Sequence, residues 1–356
     1  MRVLFLTRYA VGGPSSRYRV VQFLPYLDRA GIEYRLEPLL DDRYLTARFS
    51  GRRPGLGYLA ARSLARARVL LRSRGFDVVF VQKELFPWTP PVVEWALSVA
   101  RARVVLDIDD AIHLPYRGRP LLAQKVPTAI ARASLVLAGN RWLAEYARAF
   151  NPSTVHFPTV VDAERFTPRG GARPAGGRVV VGWMGSPETA RFLADAGPAL
   201  ARAQARADFV LRVVGDERFA VPGVELEAGA WTYEREADDL RGFDVGVMPL
   251  RDDEWARGKC SLKLLQYMSA GLATVSSPGG SVGDIVRDGD NGFVARTEDE
   301  WTERLLALVG DAERRARMGA RAREWVLAHY NLATYGPRMV AILRAVAEGR
   351  TVAHDP

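Results

Sequence analysis

The chain has 50 Lys and Arg in 356 residues, yet its only lysines are Lys83, Lys125, Lys259 and Lys263. Two of these stand four positions apart in Gly258-Lys259-Cys260-Ser261-Leu262-Lys263-Leu264-Leu265-Gln266. In a helix that spacing places both on one face. Compact ammonium groups at a helix start, where backbone N–H groups lack partners and the dipole is positive, suit a phosphate-bearing anion. A second grouping is Asp107-Ile108-Asp109-Asp110-Ala111-Ile112-His113, which follows the apolar run Val104-Val105-Leu106. Asp109 or Asp110 at the end of a strand is placed to orient or deprotonate a hydroxyl, with His113 assisting. The same oxygens also suit Mg²⁺, or a helix cap in a solvated loop. A third grouping is Gly12-Gly13 followed by Arg17 and Arg19. The glycines allow close backbone approach to a ligand, and two arginines two residues apart put one of them toward an anion. Its plain alternative is a tight turn with solvated arginines.

These groups need strands and helices to deliver them, and the pattern is strand, loop, helix, repeated. The first half reads as a strand over 2–7, a Ser-capped helix over about 16–30 and a strand over 32–38. A glycine-rich loop, Ser50–Gly57, leads into an Arg-rich helix, Tyr58–Arg74. Strands follow at 77–81, 103–106 and 134–138, with helices near 90–100 and over 140–150. The second half opens with a strand over 179–184, then Gly185-Ser186-Pro187-Glu188, with Ser186 expected as N-cap. Strands over 209–214 and 224–228 and a helix near 233–240 lead to the strand-like Phe243–Leu250. Asp216 and Glu217 follow one strand, Asp252 and Asp253 another, and Gly279-Gly280 a third, each positioned for a ligand at a strand's carboxyl end. From Glu298 to Glu348 the sequence is helical, with breaks expected at Asn331 and Pro337. The fold class is α/β.

Bulk properties narrow the partners. A net charge of +9 and a pI of about 9.9 favour anionic partners: nucleotides, phospholipid surfaces or nucleic acid. The basic residues read as distributed rather than blocked, and no zinc-finger, RNP-like or helix-turn-helix pattern occurs, so nucleic acid is not expected. The helix Tyr58–Arg74 reads either as a peripheral contact with an anionic membrane or as a solvated helix. A single cysteine, Cys260, excludes a disulfide framework and suits a reducing cytoplasm. The first residues form a strand rather than a signal peptide, and no run approaches the ~20 apolar residues that span a bilayer. A soluble cytoplasmic protein is expected, peripheral at the inner membrane face if the basic helix docks there.

Phe157-Pro158-Thr159-Val160-Val161-Asp162-Ala163-Glu164-Arg165-Phe166-Thr167-Pro168 resembles the interdomain signature of retaining glycosyltransferase family four, with Thr159 where Asn is common. The region from Asp244 to Gly292, including Ala270-Gly271 and Asp288-Gly289-Asp290-Asn291-Gly292-Phe293, is similar to that family's donor-binding region. The resemblance implies the GT-B fold: two Rossmann-like domains facing a central cleft. They would be an acceptor-side domain over 1–157, a linker over 158–177 and a nucleotide-sugar domain over 178–334. A C-terminal helix over about 335–350 would pack back on the first.

It further implies sugar transfer from a nucleoside diphosphate sugar to an acceptor hydroxyl, with retention, in polysaccharide, glycolipid or other cell-envelope glycoconjugate synthesis. The acceptor would be lipid-linked or small. The diphosphate would meet Lys259, Lys263 and the amides around Gly185-Ser186 and Gly279-Gly280. The ribose would meet Gln266 or Glu217, and the sugar would lie near Asp252 and Asp253. The acceptor would enter near Gly12, Gly13, Arg17, Arg19, Asp109, Asp110 and His113. No cofactor or metal is expected where lysines neutralise the phosphates. Two departures stand out. The family's paired glutamates fall on Gly258 and Gln266, and Gly182–Ser186 lacks the family's basic residues. A nucleotide-sugar epimerase or hydrolase, a non-catalytic binding protein, and an Asp-x-Asp phosphatase using Asp107 and Asp109 stay open as alternatives.

Overall fold

The computed structural model describes residues 1–52, 54–97, 103–171 and 177–352. Its contacts divide the chain into two units. The first comprises Met1–Thr159, Gly258–Cys260 and the segment from Leu332 onward; the second comprises Val160–Arg257 and Ser261–Asn331.

In the first unit, β1 (Arg2–Tyr9), β2 (Glu33–Leu40), β3 (Val78–Gln82), β4 (Arg103–Ile108), β5 (Leu135–Ala138) and β6 (Thr154–His156) form one parallel sheet, ordered β2-β1-β3-β4-β5-β6. All of β3 is buried, as a central strand covered on both faces requires. β2 runs two residues past its expected end and carries Pro38, tolerated because β2 is an edge strand. The strand order reverses at β1, so the loops after β1 and β3 diverge at the carboxyl ends, where doubly wound sheets hold ligands.

The helix expected over 16–30 is two short helices, Pro14–Arg19 and Leu24–Arg29, joined by a 3-10 turn at Val21–Phe23. Its N-cap position is Gly13, without a side-chain bond, rather than a serine. Pro25 supplies the reason for the break, since it lacks the N–H that a continuous helix needs there. The expected helix near 90–100 is seen over Val92–Leu97. Residues 98–102, Arg53 of the glycine-rich loop and 172–176 of the expected linker lie outside the described residues.

The C-terminal helix Leu332–Glu348 belongs to the first unit. Gly336 leaves room for the Tyr26 ring, whose nearest carbon lies 2.3 Å from where a Cβ would stand. Tyr335 meets Phe157 edge-on at 5.4 Å. Pro337 lies inside this helix instead of breaking it. The helical tail is interrupted at Gly310-Asp311 and again before Leu332, with Asp311 capping Ala312–His329 through the Arg314 N–H at 2.8 Å.

The second unit holds β7 (Val179–Met184), β8 (Phe209–Val214), β9 (Leu226–Gly229), β10 (Val245–Met248), β11 (Ala273–Ser276) and β12 (Phe293–Val294), all parallel, ordered β12-β11-β10-β7-β8-β9. The order reverses between β7 and β10, which makes the loop after β7 its switch point. The described part of the expected linker is not a free connection. Val160, Val161 and Phe166 are buried in the second unit, and Val161 N–H donates to Tyr330 O at 3.0 Å. Arg169 donates to the carbonyls of Arg241 and Phe243. These apolar residues leave water and carry the backbone with them.

Candidate functional site

In the second unit, β7 ends at Met184, and after Gly185-Ser186 the helix Pro187–Asp195 begins. Ser186 occupies the N-cap position, extended at φ −90° and ψ 157°, but its side chain makes no capping bond. The Thr189 N–H donates to the Ser186 carbonyl at 2.9 Å instead. A Cβ on Gly185 would stand 2.6 Å from Lys263 Cε and 2.6 Å from the Trp183 ring. Gly215, at φ +109°, approaches so closely that its Cβ would lie 1.9 Å from the Gly185 carbonyl oxygen. Two glycine turns and a lysine stem are thus in contact at the switch point. The Lys263 ammonium lies 3.3 Å from Thr189 Oγ1, in the first turn of that helix, and 5.0 Å from the Trp183 ring centre. A cation beside a helix N-terminus and a glycine turn is an arrangement that binds phosphate.

The two lysines do not share a helical face. The helix is Leu262–Ser269, and Ser261 at its N-cap is left-handed at φ +50°, so Lys259 precedes the helix and only Lys263 rides on it. The Ser261 hydroxyl is buried without a hydrogen-bond partner, a polar group at a helix N-terminus of the kind an anion satisfies.

Other expected donor contacts fare differently. Gln266 is buried and donates through Nε2 to Glu236 Oε1 at 3.1 Å. Glu236, itself buried, also accepts from Arg165 at 3.2 Å and Trp231 Nε1 at 3.3 Å. The carboxylate absent at 266 is therefore present beside it, supplied by another element. Asp253 caps the short helix Glu254–Arg257, accepting from Ala256 N–H at 2.7 Å, so this oxygen is engaged locally rather than aimed at a sugar. Asp252 and Glu217 are exposed, and Asp216 caps its own turn through Arg218 N–H at 3.2 Å. Gly279 and Gly280 adopt φ +125° and +55°, a turn only glycine takes readily at the first of these.

In the first unit, Lys259 donates to Asp110 at 2.6 Å. Lys83 donates to the other oxygen of Asp110 at 2.9 Å and lies 3.2 Å from Asp109. Burial alone would raise the Asp110 carboxyl, but Lys83 and Lys259 outweigh it and hold the group well below the usual carboxylate range. A carboxylate so held is a weak base; its position makes it the counter-ion of two lysines. Burial would likewise lower the Lys83 ammonium, and Asp109 and Asp110 reverse that, pushing it up.

Gly258 fits against Ala111 with no space for a side chain, since its Cβ would lie 2.6 Å from Ala111 Cβ and 2.7 Å from Ala111 N. A glutamate at 258 has no room in this packing. Asn140 Nδ2 donates to the Lys259 carbonyl at 3.1 Å while its Oδ1 caps the helix Arg141–Arg148. His113 is stacked on Tyr146 at 3.9 Å and near Trp142 at 5.6 Å, which fixes its ring plane.

Arg19 is not an anion grip. It is fully buried, holds Asp107 with bonds of 3.1, 3.1 and 2.5 Å, and donates to Phe157 O at 2.9 Å. Arg17 braces the glycine turn, donating to the carbonyls of Val11 and Gly12 at 3.1 and 2.9 Å. Gly12 N–H in turn donates to Asp42 at 3.0 Å. Sequence reasoning gave no role to Lys83, Ser261 or Glu236, and it read Asp107 as half of an Asp-x-Asp pair, whereas the structure makes it the partner of Arg19. Lys83 left a signal, as one of the few lysines; a left-handed Ser261 and a cross-chain Glu236 left none.

Each unit is a Rossmann-like parallel α/β layer, and the chain has the fold of GT-B glycosyltransferase structures. Anabaena HepE in complex with UDP superposes with a TM-score of 0.70 at 16% identity, covering 97% of this chain and 100% of that one. Sucrose-phosphate synthase from Thermosynechococcus elongatus gives 0.72 at 15% identity, covering 98% and 100%. Residues 178–311 match the family model of group 1 glycosyl transferases. The GDP-mannose-dependent alpha-(1-6)-phosphatidylinositol monomannoside mannosyltransferase of Mycolicibacterium smegmatis is 27% identical over 250 residues, 58% of this chain. The match covers 61% of that relative's length. Among the described residues, no helix is long and apolar enough to cross a membrane.

Proposed function

We propose that the protein transfers a sugar from a nucleoside diphosphate sugar to an acceptor hydroxyl, with retention of configuration. One observation carries the reading: Lys263 lies against Gly185 with its ammonium at the first turn of the Pro187–Asp195 helix, inside the group 1 domain. There it neutralises a departing diphosphate, with Ser261 and the amides near Gly279-Gly280 completing the cradle. The ribose lies toward Gln266 and Glu236, and the sugar toward Asp252. On the acceptor side, Asp109 and His113 orient the hydroxyl, and the Lys83–Asp110–Lys259 cluster fixes the loop that carries them. Lysines and helix N-termini do the work that a metal does elsewhere, so turnover is expected without one. GDP-mannose and UDP-glucose, named for the mycobacterial relative and a HepE complex, are the first donors to try. A glycolipid or small saccharide acceptor in cell-envelope synthesis fits this reading.

The test is a thermal-shift panel of nucleotides and nucleotide sugars, followed by product analysis with candidate acceptors. A stabilising donor that yields α-linked product supports the proposal; no response to any nucleoside diphosphate sinks it. Binding without turnover would favour a sugar-nucleotide-binding protein, a second reading that draws on the tie between Gln266 and Glu236. Conversion of donor alone would favour an epimerase or hydrolase.

A further inference from the structure

The positive charge is not spread along the chain as composition suggested. Between Arg43 and Phe76 stand nine arginines and no Asp or Glu, so the remainder of the chain balances to zero. The stretch spans most of the helix Asp42–Phe49 and all of the helix Leu56–Leu71, both in the first unit.

The longer helix is patterned against the usual rule for a solvated helix. Its inward face carries Arg62 and Arg66 beside Ala67, Val69 and Leu70, which pack against the core. Arg62 donates to the carbonyls of Leu39 and Pro38 at 2.9 and 2.8 Å, and Arg66, one turn on, to those of Thr7 and Glu37 at 2.7 and 2.9 Å. Its outward face carries Leu56, Ala60, Leu64 and Leu71 at helical spacing, with Leu56, Leu64 and Leu71 exposed to 85%, 54% and 82%. Arg68 and Arg72 flank this stripe and are exposed. Among the described residues, the side chains of Arg52, Arg68, Arg72 and Arg74 form no ion pair or hydrogen bond.

We propose that this face is a docking surface for an anionic phospholipid bilayer. Leu56, Leu64 and Leu71 enter the boundary between headgroups and acyl chains, and Arg68, Arg72 and their neighbours meet lipid phosphates. A second copy of the chain is a poorer occupant. A two-fold dimer sets the same patch against itself, bringing guanidinium groups together with no acid between them. Nucleic acid would satisfy the arginines and leave the leucines in water. The inference does not depend on the sugar-transfer reading.

The experiment is co-sedimentation of the full chain with vesicles of phosphatidylcholine alone and of phosphatidylcholine mixed with phosphatidylglycerol. The protein is expected to pellet with the mixed vesicles, to stay in solution with the neutral ones, and to be released by salt. Leu56→Ser with Leu64→Ser and Leu71→Ser, or Arg68→Gln with Arg72→Gln, is expected to weaken pelleting by roughly tenfold or more. Their thermal unfolding and donor binding should be unchanged, which separates failure here from failure of the transferase reading. Protein that remains in solution with mixed vesicles overturns the proposal, as does undiminished pelleting of the leucine variant. A concentration-dependent dimer that the leucine changes abolish would assign the face to self-association and equally overturn it.

Discussion

The Lys259 ammonium donates to the Asp110 carboxylate at 2.6 Å although 149 positions separate them in the chain. Lys83 reaches the other oxygen of the same carboxylate, and the two lysines and two aspartates balance in charge. The cluster anchors the segment Gly258–Cys260 to the loop after β4, within the first unit.

Replacing Asp110 by Asn leaves Lys83 and Lys259 facing each other. The side chains are partly exposed, so a loss of about 1–3 kcal/mol is expected, read as a lower urea midpoint. The pH dependence has a definite sign. The folded carboxyl is depressed, so its stabilisation is full above the ordinary value of about 4 and fades as pH falls through the folded value. The gap between wild type and Asp110→Asn should therefore narrow toward about pH 3. A gap that widens in acid would contradict the depressed carboxyl.

Lys263→Ala should lower sugar transfer at least about tenfold, ~1.4 kcal/mol of transition-state stabilisation, with little change in thermal stability. Gly185→Ala places a methyl group against the Lys263 stem and should weaken nucleotide binding through the same contact. Near-wild-type steady-state kinetics for Lys263→Ala would remove the phosphate role.

The pair Arg19–Asp107 is buried on both sides. Arg19→Ala strands the carboxylate and should cost about 3–5 kcal/mol. Arg19→Met with Asp107→Leu should recover much of that loss, because no charge is then left without a partner. Calorimetry on both variants decides it; equal destabilisation would mean that the loss comes from packing.

Burial pushes the Cys260 thiol up to about 12, and Sγ sits 3.3 Å from the Asp109 carbonyl. The thiolate is scarce at neutral pH, so native protein should resist alkylation by iodoacetamide and react once denatured. Rapid labelling of the folded chain would refute this.

Gln266→Glu would set two carboxylates at the 3.1 Å contact with Glu236. It is expected to lower stability, and adding Glu236→Gln should rescue it. Donor affinity of the double variant, measured by calorimetric titration, tests whether one carboxylate anywhere in this cluster suffices for ribose.

The sequence by itself determined the elements and their alternation. The apolar runs at 77–81, 103–106 and 179–184 could be little but buried strands, and Gly185 marks a strand-to-helix turn. Hydrophobic periodicity is local, decided within a few residues, and is legible for that reason, whereas the expected serine caps made no capping bonds. The tertiary structure decided which partner each charge takes. Lys259 and Lys263, one nominal helix turn apart, were separated by a left-handed Ser261, and Arg19 was drawn to a carboxylate 88 positions away. It also placed Glu236 beside Gln266, closed Gly258 against Ala111, and turned Leu56, Leu64 and Leu71 outward. Coulomb and hydrogen-bond energies depend on separation in space, and spacing along the chain does not fix that separation once the backbone has folded.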